Sequence, residues 1–481
     1  MDYEPVIGLE VHVELNTQSK VFCGCSTNFH AAPNTNVCPI CLGMPGVLPT
    51  MNRAVVDAAL AVGLALNCSI CRWSKMDRKN YFYPDLAKNY QVSQYDLPLC
   101  SGGFLEVEVD GQIKRIGVTR VHIEEDTARN VHTIGGNGSA MASGVDFNRS
   151  GVPLLEIVSE PDIRSAQEAY AYLTSLKKIL QYLKVSDCNM EEGSLRAEAN
   201  ISIRPVGTEK FGTKTEVKNV ASFSGTFKAI EYEVMRQRQV LESGGTVVQE
   251  TRGWDADRGI TVSQRSKESA HDYRYFPEPD LTPIAVDDAW IERVRTTLPE
   301  LPVARYERFR TQYGLSEYDA SGLTSTMAMA DYFEQTVSAG AQAKQAANWI
   351  MGDLQALLGE SKSSIEKSPI SSQALAEMIS LIEKGTISGK IAKELLPEMY
   401  STGQSAPALV EAKGLVQISD SEALVSAVRE VMAANPGPVA DYRGGKNQAF
   451  GFLVGQVMKA TKGKANPKMV NDILKQQLEQ S

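Results

Sequence analysis

The sequence predicts an α+β protein in which a body of antiparallel sheet is followed by an all-α region and a small helical tail. Apolar and polar residues alternate with period two in most apolar runs before about residue 290. An Asp-Gly pair at 110 and 111 joins two such runs, as in a tight hairpin. From about 291 the apolar spacing becomes helical, and Ala, Leu, Gln, Glu and Lys dominate. A chain of 481 residues also exceeds one core, and the boundaries are expected near 292 and 407, giving segments 1–292, 293–406 and 407–481.

In chain order, "VIGLEVHVEL" is the first strand, and "MNRAVVDAALAVGLAL" near 51–66 is a helix. "FLEVEVDGQIKRIGVTRVHIEED" is the hairpin and "LLEIVSE" a further strand. A second helix spans 165–183, with Ser165 as N-cap and Glu168 three residues on. "LRAEANISIRPVG" and "TKTEVKNV" are strands, and a third helix starting at "SFSG" stops at Gly244 and Gly245. Beyond "LPELPVARY", short helices separated by Gly, Ser and Pro fill the rest.

The net charge of −9 excludes a surface that is basic throughout. Residues 441–481 nevertheless carry seven Lys/Arg against three acids, so +4 sits there and −13 elsewhere. That segment suits a local polyanion contact or a solvated helical tail. No apolar run is long enough for a bilayer, and the opening "MDYEPVIGLE" is neither a signal nor a transit segment; a cytoplasmic location is expected. Of eight cysteines, Cys23, Cys25, Cys38 and Cys41 form two close pairs twelve residues apart, the spacing of a tetrahedral zinc centre. Four thiolates leave no open position, so such a zinc is structural. Cys68 and Cys71 read as packed thiols, and "GGNG" at 135–138 as a hairpin tip.

The first strand puts Glu10, His12 and Glu14 on one face. "TRVHIEEDTAR" does the same with His122, Glu124 and Asp126, leaving Glu125 with Val121 and Ile123 on the other. "NMEEGSLRAEANISIR" adds Glu191, Glu192, Glu198 and Asn200, and "TKTEVKNV" adds Lys214, Glu216 and Lys218. Carboxylates gathered in one concavity repel unless a cation neutralises them, and oxygen ligands with an occasional imidazole suit Mg²⁺ or Mn²⁺. Phosphoryl transfer follows from that reading; strands that only turn a polar side to water are the competing one. Neither a G-x-x-x-x-G-K-[ST] loop nor a kinase loop is present, so ATP would need another cradle. "DRKNYFYPDLAKNYQ" and "HDYRYFPEPDL" interleave aromatic and charged residues, as a platform for a base or a terminal adenosine would, or as loops pinned by aromatic packing.

Together with "LLEIVSEPDIRS", "FGTKTEVKNVASF" and "GFLVGQVMKATKGKANPK", these stretches resemble the B subunits of the tRNA-dependent amidotransferases across essentially the whole chain. Those enzymes convert Glu-tRNA(Gln) to Gln-tRNA(Gln), or Asp-tRNA(Asn) to Asn-tRNA(Asn). The resemblance implies a cradle domain, a helical domain and a YqeY-like tail. It implies a ligase subunit that binds the misacylated tRNA and phosphorylates its Glu or Asp side chain with ATP and Mg²⁺. A separate amidase subunit supplies ammonia from glutamine, and a third, small subunit makes up the heterotrimer. No Ser-Ser-Lys or Cys-His arrangement for glutamine hydrolysis appears in this chain.

Carried over by motif, Glu10, His12, Glu124 and Glu125 would be catalytic and hold Mg²⁺. Glu191, Glu192, Glu198 and Glu216 are acidic candidates for the nucleotide site; Lys79, Lys214 and Lys218 are phosphate contacts. Tyr81, with Tyr83, would border the acceptor end. A tRNA-binding scaffold with all catalysis in the partner subunits is the rival reading. For the basic tail, changing Lys459, Lys462 and Lys464 to Ala is expected to weaken tRNA binding and flatten its salt dependence; an unchanged slope of affinity against salt would exclude that contact.

Overall fold

A computed structural model describes residues 2–134, 140–266, 270–415, 421–461, 465 and 467–480. The chain divides into two compact units, Met1–Leu301 and Pro302–Ser481. The first is built on nine strands: β1 (Tyr3–Glu14), β2 (Ser69–Ile70), β3 (Cys100–Val109), β4 (Gln112–Glu125), β5 (Pro153–Ser159), β6 (Leu195–Pro205), β7 (Thr215–Lys218), β8 (Glu250–Asp255) and β9 (Ile260–Ser266). Their order is β9-β8-β7-β6-β1-β5-β4-β3-β2, so β1 is the central strand. Every neighbouring pair is antiparallel except β7 with β8. The Asp-Gly pair at 110 and 111 turns β3 into β4, as expected from the sequence.

Alternation in β1 divides the sheet into two faces. Leu9, Val11 and Val13 are buried in an apolar core with Val121 and Ile123 of β4 and Leu155 and Ile157 of β5. Helices α1 (Arg53–Ala65), α2 (Ala166–Tyr182) and α3 (Phe223–Glu242) supply the other half of that core through Val55, Leu60, Tyr172, Leu176 and Ile230. Ser165 caps α2 as its sequence requires, accepting from the Glu168 N–H at 3.1 Å. The Glu168 carboxylate accepts from the Arg164 N–H at 2.7 Å. α3 ends at Glu242 and the backbone turns left-handed at Gly244, in agreement with the glycine stop. Because α3 links β7 to β8, that pair is parallel, as a helical crossover demands.

Alternation did not reveal three short strands in the aromatic stretches. Asp77–Asn80 pairs with Tyr90–Ser93 and with Phe276–Pro277, so Arg78 lies opposite Phe276 across about two hundred residues of chain. Arg78 holds Glu278 through Nε at 2.8 Å and Nη2 at 2.7 Å. The glycine-rich stretch 135–138 lies outside the described residues.

The described residues of the second unit form helices, the first at Pro302–Tyr313 and the last at Pro467–Gln480. One apolar cluster gathers Phe309, Phe333, Trp349 and Leu396; another gathers Leu424, Val428, Leu453, Val457 and Leu474. Among the described residues no helix is long and apolar enough to cross a membrane. Removing the α2 cap tests the local argument. Ser165→Ala is expected to lower the stability of the sheet unit by about 1 kcal/mol, measured as a shift in the urea midpoint of its unfolding transition.

Candidate active site

The face of the sheet opposite the core carries charge in rows. Registration of β1 on β5 and β6, and of β5 on β4, aligns His122, Glu156, His12 and Arg196 across four strands. One row away Glu10 lies opposite Glu198, and one row further, level with Gly8, Asn200 lies opposite Glu216. Side chains from strands far apart in sequence thus converge on a floor that needs no long loop to position it.

Two groups of donors form on this floor. In the first, His12, Glu124 and Glu156 bring ligand atoms within 4.8 Å of one another. His12 Nε2 is 3.5 Å from both Glu124 and Glu156, and His122 Nε2 is 3.6 Å from Glu156 and 4.0 Å from Glu124. The Glu124 side chain is only 1% exposed, and neither of its oxygens has a hydrogen-bond partner among the described residues. An ionised acid left so is costly unless a positive charge lies against it. Burial opposes charge on His12, but the two carboxylates outweigh it and push its pKa up to about 10. Burial keeps the pKa of His122 low, whereas the two histidines hold the Glu156 carboxyl well below its ordinary range against the effect of burial. A hard set of two carboxylates and an imidazole fits Mg²⁺ or Mn²⁺, with the imidazole neutral when it ligates.

In the second group, Glu10, Glu198 and Glu216 approach within the same distance. Each is tied by a donor from a neighbouring position. Asn200 Nδ2 donates to Glu10 at 2.8 Å, Thr251 Oγ1 donates to Glu216 at 2.7 Å, and Lys218 Nζ lies 2.6 Å from Glu198 and 3.7 Å from Glu216. The Lys218 pKa is raised, since Glu198 and Glu216 more than offset burial.

The other residues singled out in the sequence fall around these groups. Glu125 points to the opposite face, as alternation requires, where both of its oxygens lie 2.6 Å from Lys88 Nζ and one accepts from the Val92 N–H at 2.9 Å. It does not share a set with His12 and Glu124. Lys79 is half-buried between the rings of Tyr81 and Tyr273, 5.8 and 5.1 Å from their centroids, and Glu124 raises its pKa against burial. Lys214 lines a cavity of about 420 Å³ with Gly8, Glu10, Asn200 and Phe211. Glu191 and Glu192 line another, of about 570 Å³, with Glu14, Arg149, Arg196 and Glu198. Tyr83 packs edge-on to Tyr81, and Tyr275 stacks on Tyr95 at 4.3 Å. Lys459 is exposed; Lys462 and Lys464 lie outside the described residues.

Glu156 was not singled out by the sequence, although it stands between Leu155 and Ile157 in the apolar run "LLEIV". Its partner strand is what gives it meaning. The four cysteines do meet: Cys23, Cys25, Cys38 and Cys41 bring their sulfurs within 4.8 Å of one another, and the Cys38 N–H donates to Cys41 Sγ at 3.1 Å. Four thiolates at this separation fit a tetrahedral zinc ion. Cys68 is buried, as a packed thiol should be, while Cys71 is half-buried and donates to Trp73 O at 3.2 Å.

At the edge of the floor, burial and the neighbouring Asp126 push Glu14 up to about 9. Asp126 stays low against burial because Arg196, 2.7 Å away, and Arg149 hold it ionised. Glu14 therefore binds its proton more tightly folded than unfolded, and its contribution to stability is present below about 4.5 and lost as pH rises toward 9. Glu14→Gln is expected to match wild type near pH 5 and to be increasingly more stable toward pH 8.5, measured by urea unfolding at each pH.

Two family models match the chain: residues 5–292 match the GatB/GatE catalytic domain, and residues 331–478 match the GatB domain. The B subunit of the aspartyl/glutamyl-tRNA(Asn/Gln) amidotransferase of Moorella thermoacetica is 58% identical over 478 residues, covering 99% of this chain and 100% of its own. Its counterparts in Carboxydothermus hydrogenoformans and Geobacter sulfurreducens are each 56% identical, covering 99% of this chain and 99% and 100% of their own. With the catalytic-domain match spanning more than half the chain and identity running end to end, the chain belongs to the GatB family of aspartyl/glutamyl-tRNA amidotransferase subunits.

Proposed function

We propose that this chain is the subunit of a glutamine-dependent amidotransferase that binds Glu-tRNA(Gln) or Asp-tRNA(Asn) and activates the side-chain carboxylate with ATP. The observation that carries the reading is Glu124, a buried acid without a hydrogen-bond partner among the described residues, set against His12 and Glu156 on the sheet floor. A carboxylate is a poor acceptor for ammonia because oxide would have to leave. Its oxygen therefore attacks the γ-phosphorus of ATP, the bond from phosphorus to the bridging oxygen breaks, and ADP departs. Ammonia then attacks the acyl carbon, phosphate leaves, and the nitrogen loses a proton.

Mg²⁺ supplies charge neutralisation between the two anions in such a step. His12, Glu124 and Glu156 would hold one such ion, and Glu10, Glu198 and Glu216 offer a second set. The cavity with Gly8, Asn200, Phe211 and Lys214 suits the nucleotide: Phe211 is 57% exposed there for stacking, and Lys214 is at hand for phosphate. The larger cavity, bordered by Arg149 and Arg196, suits the aminoacyl end with its anionic side chain. Lys79 keeps its positive charge beside Glu124, where it would meet the transferring phosphoryl group. The four cysteines hold structural zinc. An amidase, in which glutamine is hydrolysed, and a small third chain complete the heterotrimer, and residues 407–481 form the tail that touches the tRNA body.

The test is ATP cleavage by the assembled enzyme without glutamine, comparing Glu-tRNA(Gln) with the same tRNA uncharged. ADP is expected only with the charged tRNA. Glu124→Gln is expected to lower its release at least about 100-fold, equivalent to about 2.7 kcal/mol. Cleavage that ignores both the acyl group and the substitution would make this chain a tRNA-binding scaffold.

A further inference from the structure

Next to the four cysteines lies a lysine that the mechanism does not use. Lys20 is fully buried, and it is among the largest side chains that the fold encloses completely. Its ammonium donates to Asn36 O at 2.8 Å, to Phe147 O at 3.4 Å and to Cys41 Sγ at 3.7 Å. Two carbonyls take two of its three hydrogens but bring no charge. Among the described residues no carboxylate lies within ion-pair distance of it. A buried ammonium requires a counter-charge; the nearby Glu125 carboxylate is taken by Lys88, and among the described residues the anionic group Lys20 contacts is the Cys41 sulfur.

Zinc with four thiolates retains a net double negative charge, which is itself costly to bury without a nearby cation. The lysine and the sulfur cluster thus each supply what the other lacks. The contacts also reach past the metal loop. The Lys20 N–H donates to Cys25 O at 3.1 Å, and Val21 N–H to Gly151 O at 2.9 Å. Gly151 has φ +82°, and a Cβ there would lie 3.5 Å from Lys20 Cδ, 3.6 Å from Cys41 Cβ and 3.8 Å from Glu125 Oε2. Its N–H donates to Asp126 O at 3.0 Å, and Arg149, two residues earlier, donates to Thr127 O at 2.9 Å. Thr27, Asn28 and Phe29 of the cysteine loop line the 570 Å³ cavity together with Asp146, Asn148 and Arg149.

We propose that Lys20 is the counter-charge of the four-cysteine metal centre and, through Phe147 O, the strut that fixes the Asp146–Gly151 segment of the cavity wall to it. The inference rests on the zinc reading of the cysteines. Outer groups of this kind tune a metal centre by orienting and stabilising its ligands. Lys20→Met keeps the length and removes the charge.

The experiment uses the full chain in its complex. Zinc retained after purification is measured by elemental analysis, then competed with the chromophoric chelator 4-(2-pyridylazo)resorcinol. Wild type is expected to retain one zinc, and Lys20→Met to release it at about 10- to 100-fold lower chelator concentration. Equal retention by the two proteins overturns the role of Lys20 and leaves the zinc reading standing; a wild type that retains no zinc overturns both. Should Lys20→Met fail to fold, wild type is acetylated with and without chelator and mapped by mass spectrometry. Lys20 is expected to be protected with metal and modified without it, with the exposed Lys214 modified in both; a Lys20 still protected after zinc has left overturns the proposal.

Discussion

The register of β1 on its two neighbours is the constraint from which the site follows. With His12 opposite Glu156 on one side and Arg196 on the other, Val11 and Val13 turn to the helices and the charged row turns away from them. A slip of one residue would bury Glu10, His12 and Glu14 against α1 and α2 and strand the valines on the polar floor. The apolar core thus specifies the position of the polar site. Geometry of this kind is stiffer than a loop-borne site, because each acid is anchored in a strand paired on both sides.

Charge on the floor is managed by distribution. Imidazoles face Glu124 and Glu156, an ammonium faces Glu198 and Glu216, and two guanidiniums face Asp126. Among the described residues, Glu124 has both oxygens buried without a hydrogen-bond partner, whereas Glu14 and Glu198 each leave one oxygen so. Such uneven satisfaction is what a cation could complete, since a fully satisfied network gives a cation no advantage. The same reasoning separates the outlying Glu125, whose oxygens are taken by Lys88 and a backbone N–H, from the acid beside it in sequence.

Much of this was legible in the sequence because strands report their own faces. The alternation in "VIGLEVHVEL" and "TRVHIEEDTAR" correctly separated His12 and Glu124 from Glu125, and Ser165 and Gly244 marked helix ends by local chemistry. Cross-strand partnership was not legible. Glu156 acquires its role from His12 and His122, more than thirty residues away, and nothing inside "LLEIVSE" reports that pairing. The pairing of the two aromatic stretches was hidden for the same reason: Arg78 and Glu278 look like unrelated charges until the strands that carry them are adjacent. Motif resemblance grouped Glu125 with Glu10, His12 and Glu124 as expected Mg²⁺ ligands, and in the structure its oxygens lie against Lys88 and the Val92 N–H.

The central place of β1 also governs how the chain must be made. This strand is synthesised before its partners, since β5 is complete only at Ser159 and β6 only at Pro205. At ribosomal speeds the interval is on the order of 10 to 40 s, during which an apolar strand with two open edges is attached to the ribosome. An unpaired edge of that composition is a template for association with other nascent chains. Until those partners emerge, the alternating Glu10, His12 and Glu14 keep one side of the waiting strand hydrated and charged.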